Sequence, residues 1–268
     1  MTNKKRKAVG TEMFLDTDEG KVRVLAYNLD NAEKLPLYIN IHGGGFVLGS
    51  AETDDPFMMN IATNANVKIL NVDYSLSPEY PFPKAINECY AVAKYAKQHP
   101  DEFGIDPERI GMGGQSAGGN ATAAICLMEH EQNTLGLKCA VLDYPPVDIY
   151  SGSDENQEKI KGGLPGFNLI GRLFSPSYVH EKEERRNPLV SPLFADEQQL
   201  ATFPPTLVIT AQRDPLCKQG EKFKDNLISA GVDVTFKRFD AMHAFNLLPG
   251  PEADESWALI IDFLKKTL

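Results

Sequence analysis

The pentapeptide Gly114-Gln115-Ser116-Ala117-Gly118 is the strongest chemical signal in the chain. It reads G-x-S-x-G. It follows a short apolar run expected as a strand, Arg109 to Gly113, and opens a stretch with helical spacing, Ala117 to Glu131. Two glycines in that context let a strand turn abruptly into a helix. The serine is then held strained and exposed, with a helix N-terminus beside any developing oxyanion. A second segment, His42-Gly43-Gly44-Gly45, follows the apolar run Leu35 to Ile41. Backbone N–H groups in a glycine loop can point at a carbonyl oxygen as its charge grows, so Gly43, Gly44 and Ala117 form the expected oxyanion hole. Alone, such a glycine run could equally be a plain turn; the serine elbow later in the chain gives it meaning.

A serine nucleophile needs a base, and the base needs an orienting acid. Of five histidines, His42 belongs to the glycine loop, while His99, His130 and His180 read as surface residues. His243 lies just past the last expected strand, in Asp240-Ala241-Met242-His243-Ala244-Phe245, and is the expected base. Asp214 follows the run Thr206 to Ala211 at a strand end and is the expected acid. Asp240 is its rival, three residues before His243, whereas Asp233 falls inside an expected strand.

The elements that must carry these residues follow from hydrophobic patterning. Thr11 to Leu15 and Lys21 to Asn28 alternate around a turn-rich Asp16 to Gly20 and read as an antiparallel hairpin. Leu35 to Ile41, Val67 to Val72, Arg109 to Gly113, Lys138 to Tyr144 and Thr206 to Ala211 are short, nearly continuous apolar runs. Such runs suit strands buried on both faces of a parallel sheet. Val232 to Phe239 is a late strand, preceded by Gly231 as a helix C-cap signal. Helical spacing marks Pro83 to Gln98, Ala117 to Glu131, Lys218 to Ala230 and Glu252 to Leu268. Strand–helix alternation of this kind predicts an α/β fold with a mostly parallel sheet and helices on both faces. One stretch breaks the rhythm. Asp148 to Leu200 is rich in glycine and proline, with one helical candidate at Phe167 to Tyr178. It is expected to be an inserted cap over the site, within a single domain spanning 1–268.

The net charge of −10 argues against nucleic acid or an anionic membrane as partner, since both need a basic face. The basic run Lys4 to Lys7 reads as a solvated arm with no apolar stretch behind it for a signal peptide. No window approaches the length of apolar sequence needed to cross a bilayer. Cys89, Cys126, Cys139 and Cys217 are widely spaced, so neither a zinc site nor a disulfide framework is indicated and a cytoplasmic location is expected.

Taken together, these residues resemble the hormone-sensitive-lipase-like esterases, also called bacterial family IV, of the α/β-hydrolase superfamily. The resemblance runs from about Leu35 to the C-terminus. The family's HGGGF box stands as His42-Gly43-Gly44-Gly45-Phe46, and its D-Y-R-L-A-P-E-x-P-F-P-A stretch as Asp73 to Lys84. Its GDSAGG elbow is Gly114 to Gly119, its D-P-L acid box Asp214-Pro215-Leu216, and its H-G-F base box His243-Ala244-Phe245. The order Ser116, Asp214, His243 is that of α/β-hydrolases. The resemblance implies hydrolysis of a small-molecule carboxylic ester, with no metal or organic cofactor. Family members commonly carry extra N-terminal helices in the cap. Here the first strand is expected near Thr11, which leaves 148–200 to cover the pocket and leads to an expected preference for short acyl chains.

Phe46, Tyr144, Phe167, Phe174 and Phe245 are candidate pocket residues, with ordinary core packing as the alternative for each. A serine peptidase or amidase would carry the same triad, and a non-catalytic ligand-binding homologue is the reading outside enzymes. A homodimer is compatible with the sequence but is not read from it. Three positions depart from the family: Gln115 replaces an acid, Ser75 a base, and Ala244 a glycine. Gln115 and Ser75 are expected either to have exchanged together as a contacting pair or to lie apart and vary independently.

Overall fold

The computed structural model describes residues 9–151 and 167–268, with 167–172 described by their backbone alone. All eight expected strands are present: β1 Thr11–Thr17, β2 Gly20–Tyr27, β3 Leu35–Ile41, β4 Lys68–Asp73, β5 Ile105–Gln115, β6 Cys139–Asp143, β7 Thr206–Ala211 and β8 Val234–Phe239. They form one sheet in the order β1-β2-β4-β3-β5-β6-β7-β8. β1 and β2 pair antiparallel, as do β2 and β4; every later pairing is parallel. The central strands are nearly continuous apolar runs because both their faces are covered. Every residue of β3, β6 and β7 is buried. β5 is longer than the Arg109 to Gly113 expected for it, and Asp233, expected inside a strand, sits just before β8.

The helices are α1 Asp55–Ala65, α2 Lys84–Gln98, α3 Pro100–Phe103, α4 Ala117–Gln132, α5 Phe167–Tyr178, α6 Glu197–Leu200, α7 Cys217–Ser229 and α8 Pro251–Thr267. α1 and α8 cover one face through Met58, Ile61, Trp257, Ile260 and Leu264. α2 and α4 cover the other through Ile86, Cys89, Ala121 and Ile125, and α7 joins them through Phe223 and Leu227. α1 was not anticipated from the sequence. Between β6 and β7 the described part of the chain is helical or irregular. Its Tyr178, Val179 and Val190 belong to the same core as α2 and α4. No helix among the described residues is long and apolar enough to cross a membrane.

Parallel strands all deliver their C-terminal ends to one edge of the sheet. β3, β5, β6, β7 and β8 therefore present the glycine loop, Ser116, Tyr144, Asp214 and His243 on the same side.

Candidate active site

Ser116 stands between β5 and α4 with φ 52° and ψ −116°, a conformation that an L-residue adopts only when its surroundings enforce it. Its N–H donates to the Asp143 carbonyl at 2.8 Å, and its carbonyl accepts from Asn120 N–H at 3.0 Å. The flanking glycines allow this turn. A Cβ at either Gly114 or Gly118 would run into the Ile41 carbonyl oxygen, so strand and helix approach closely only without side chains there.

The three side chains singled out from the sequence meet. Ser116 Oγ lies 3.0 Å from His243 Nε2, and His243 Nδ1 lies 2.6 Å from Asp214 Oδ2. The carboxylate can only accept, so Nδ1 carries the ring hydrogen and Nε2 is left to accept from the serine hydroxyl. Asp214 is buried, and its other oxygen accepts from Leu216 N–H at 2.9 Å. The rival Asp240 lies elsewhere: its carboxylate is exposed and pairs with Arg213 at 3.1 Å. His99, His130 and His180 are exposed, as expected. His243 is followed by Ala244 at φ 60°, a left-handed position where the family carries glycine.

The glycine loop lies against the serine. A Cβ at Gly43 would be 3.6 Å from Ser116 Cβ. His42 is fully buried, stacked on Tyr74 with ring centroids 4.2 Å apart, and burial pulls its pKa below the ordinary value. Its Nδ1 donates to the Gly43 carbonyl at 2.7 Å. Because the peptide is planar and trans, a Gly43 carbonyl aimed at His42 turns the Gly44 N–H the opposite way. None of the N–H groups of Gly43, Gly44 and Ala117 donates to another described residue. The loop then passes through left-handed backbone at Gly44, Gly45 and Phe46.

The pocket candidates fall into different places. Phe46 is only 2% exposed and stacks on Tyr178 at 3.9 Å, so it is a support beneath the loop rather than a wall. Tyr144 is equally buried; its hydroxyl donates to Asn246 Oδ1 at 2.6 Å, and its ring meets His243 edge-on at 4.9 Å. Phe174 is half-buried and lies directly on Gly45. Phe245 is half-buried between Tyr144 and Phe239. The side chain of Phe167 lies outside the described residues. A surface groove lined by Cys126, Glu129, His130 and Thr202 sits at the far end of α4 from Ser116.

Gln115 and Ser75 are not partners. Ser75 donates through both its N–H and its hydroxyl to Glu88, at 2.7 and 2.8 Å, and Lys84 approaches the same carboxylate at 3.4 Å. Gln115 is buried, with its Oε1 lacking a partner among the described residues. No hydrogen bond joins the two residues, so the contacting pair is not what the structure shows. Sequence reasoning also missed Tyr178, Asn246 and Asn120. The Asn120 amide bonds the carbonyls of Pro146 and Val190 at 2.6 and 2.9 Å, clasping both ends of the segment between β6 and β7.

Sheet order, serine elbow and glycine loop together define an α/β-hydrolase. Residues 38–247 match a family model described as alpha/beta hydrolase fold, and the chain belongs to that family, in its hormone-sensitive-lipase-like branch. The arylesterase of Saccharolobus solfataricus is 32% identical over 98% of this chain and 87% of its own length. The carboxylic ester hydrolase LipN of Mycobacterium tuberculosis is 31% identical over 88% of this chain, which spans 64% of that protein. Among solved structures, the hyperthermophilic esterase of Pyrobaculum calidifontis superposes with a TM-score of 0.88 at 31% identity, covering 96% of this chain and 85% of that one.

Proposed function

We propose that this protein is a serine carboxylesterase that hydrolyses short-chain acyl esters through an acyl-enzyme intermediate. One observation carries the reading: the hydrogen-bonded series Ser116–His243–Asp214 beside a glycine loop with undirected N–H groups. In this mechanism Ser116 Oγ attacks the acyl carbon while His243 Nε2 takes its proton. Asp214 holds the imidazole through Nδ1 and stabilises its charged form. The N–H groups of Gly43, Gly44 and Ala117 receive the oxyanion, a contribution worth roughly 100- to 1,000-fold in rate per donor. His243 returns the proton to the leaving alcohol, and water then attacks the acyl-enzyme by the same route.

The esterase relatives support the ester as substrate, among them an acetyl esterase of Salmonella that is 29% identical over 85% of this chain. The segment 148–200 serves as the cap. Its Phe174 lies against Gly45 and narrows the space beside the glycine loop, which favours a short acyl group. All four cysteines are unpaired, in keeping with a reducing cytoplasm.

Turnover of p-nitrophenyl acetate against an aminoacyl p-nitroanilide tests the assignment. The ester should be hydrolysed and the anilide scarcely touched. Replacing Asp214 by Asn should cost far more ester turnover than replacing Asp240 by Asn. Faster anilide cleavage would make the protein an amidase, and no turnover of either would remove the enzymatic reading.

A further inference from the structure

The ends of three strands are tied together at residues 143 and 144. Asp143 closes β6. Its carbonyl accepts from Ser116 N–H at 2.8 Å, and its carboxyl accepts from Asn246 Nδ2 at 2.6 Å. Tyr144 follows with φ 38°, left-handed backbone that a non-glycine residue keeps only where its surroundings enforce it. Its N–H donates to the Ile209 carbonyl at 2.8 Å, in the strand that leads to Asp214. Its hydroxyl donates to Asn246 Oδ1 at 2.6 Å, and its ring stands edge-on to His243 at an interplanar angle of 71°.

Asn246 is fully buried, three residues after His243. Both ends of its amide are engaged, and its Nδ2 also lies 3.4 Å from Ser256 Oγ. Its backbone carbonyl accepts from Trp257 Nε1 at 2.9 Å. A buried amide adds little net stability over an apolar residue of the same shape, but it fixes orientation because each end accepts only one kind of partner. The loop it anchors needs such fixing. Ala244 is left-handed, and the imidazole must satisfy Ser116 and Asp214 at once.

We infer that Asn246, gripped by Tyr144 and Asp143, is a positioning residue that sets the His243 imidazole between Ser116 and Asp214. The inference rests on the esterase reading above. None of the three touches the reacting atoms. They act by holding the His243 loop to the end of β6, where Asp143 accepts from the serine N–H and the following Tyr144 donates to the strand of the acid.

The test measures kcat and KM on p-nitrophenyl acetate, together with melting temperature, for Asn246→Leu, Tyr144→Phe, their double variant and Asp143→Asn. Misplacement of a catalytic group by about 1 Å can cost about 100-fold. Asn246→Leu should therefore lower kcat by about 10- to 100-fold with KM within about 2-fold. Tyr144→Phe removes only the hydroxyl and should lower kcat by about 3- to 10-fold with the melting temperature nearly unchanged. The double variant should fall little below Asn246→Leu, because the lost hydrogen bond is shared. Burial pushes the Asp143 carboxyl well above the usual carboxylate range, and Asn at this position keeps an oxygen to accept from Asn246, so Asp143→Asn should retain activity within about 3-fold.

Unchanged kcat in both Asn246→Leu and Tyr144→Phe would overturn the inference. In that case wild-type turnover and its loss in Ser116→Ala would leave the esterase reading standing. If Asn246→Leu does not fold, Tyr144→Phe decides: a fall in kcat at constant melting temperature supports positioning, and a lower melting temperature with unchanged kcat refutes it. A wild-type protein without ester turnover would refute the underlying reading, and this inference with it.

Discussion

Replacing Asp54 by Asn should remove the loss of stability that a buried Asp54 carboxyl imposes on this protein as pH rises. The Asp54 carboxyl is fully buried at the start of α1, beneath the strand that leads to the glycine loop. Its Oδ2 accepts from Asn40 Nδ2 at 2.9 Å, and its Oδ1 has no partner among the described residues. Burial outweighs that single hydrogen bond and pushes its pKa from 3.8 up to about 7. Below pH 3.8 the acid is protonated whether the chain is folded or not, and linkage costs nothing. Between 3.8 and about 7 only the unfolded chain releases the proton, so stability drains away as pH rises; above 7 the loss is complete. A tenfold difference in proton affinity is worth about 1.4 kcal/mol, so the whole loss is about 4 kcal/mol, of which about 3 kcal/mol falls between pH 5 and pH 8. Asn has the same shape and keeps the acceptor for Asn40. Asp143, also buried, titrates in the same direction in both proteins; its shift comes first from its own burial and only in a smaller part from the Asp54 charge, which the variant removes. Thermal or urea denaturation at pH 5 and pH 8 reads the effect. The variant should gain about 3 kcal/mol on wild type across that interval, roughly 6–12 °C in melting temperature for a chain of this size. Parallel stability curves would refute the reasoning, since they would mean that Asp54 keeps an ordinary proton affinity when folded.

Gly118→Ala should lose activity and about 1–3 kcal/mol of stability, because its methyl group would enter the Ile41 carbonyl; full activity would contradict the close approach of strand and helix. Phe174→Ala should raise kcat/KM on hexanoyl relative to acetyl esters, each further methylene buried adding about 0.8 kcal/mol of binding. An unchanged chain-length profile would remove Phe174 from the pocket. The Gln115→Asp and Ser75→Arg variants should combine additively, within about 0.5 kcal/mol in denaturation, since Ser75 bonds Glu88 and not Gln115. A larger coupling would show that the two positions communicate.

The central strands were legible because they are buried on both faces and so read as nearly continuous apolar runs, as in Leu35–Ile41. α1 escaped notice because Asn60, Thr63 and Asn64 interrupt its apolar residues. The Asp54-Asp55-Pro56 start was the available signal. Ser116, Asp214 and His243 could be found because each stands at a strand end within a short local motif. Pocket lining and core packing both stayed open for Phe46 because its seat depends on Tyr178, more than a hundred residues later, and no local pattern announces that stack. Asn246 was invisible for the same reason: its partners Asp143 and Tyr144 reach it only once β6 and the loop after β8 are folded side by side.

The central claim is that Ser116 is the nucleophile of an ester hydrolase. Labelling the wild-type protein with a fluorophosphonate probe, with p-nitrophenyl acetate turnover measured in parallel, tests it most directly. The probe should attach to Ser116 alone and abolish turnover. Ser116→Ala should be folded, unlabelled and slower by several orders of magnitude, since the three residues act as a unit. Labelling at another residue, or turnover in Ser116→Ala close to that of wild type, would contradict the account.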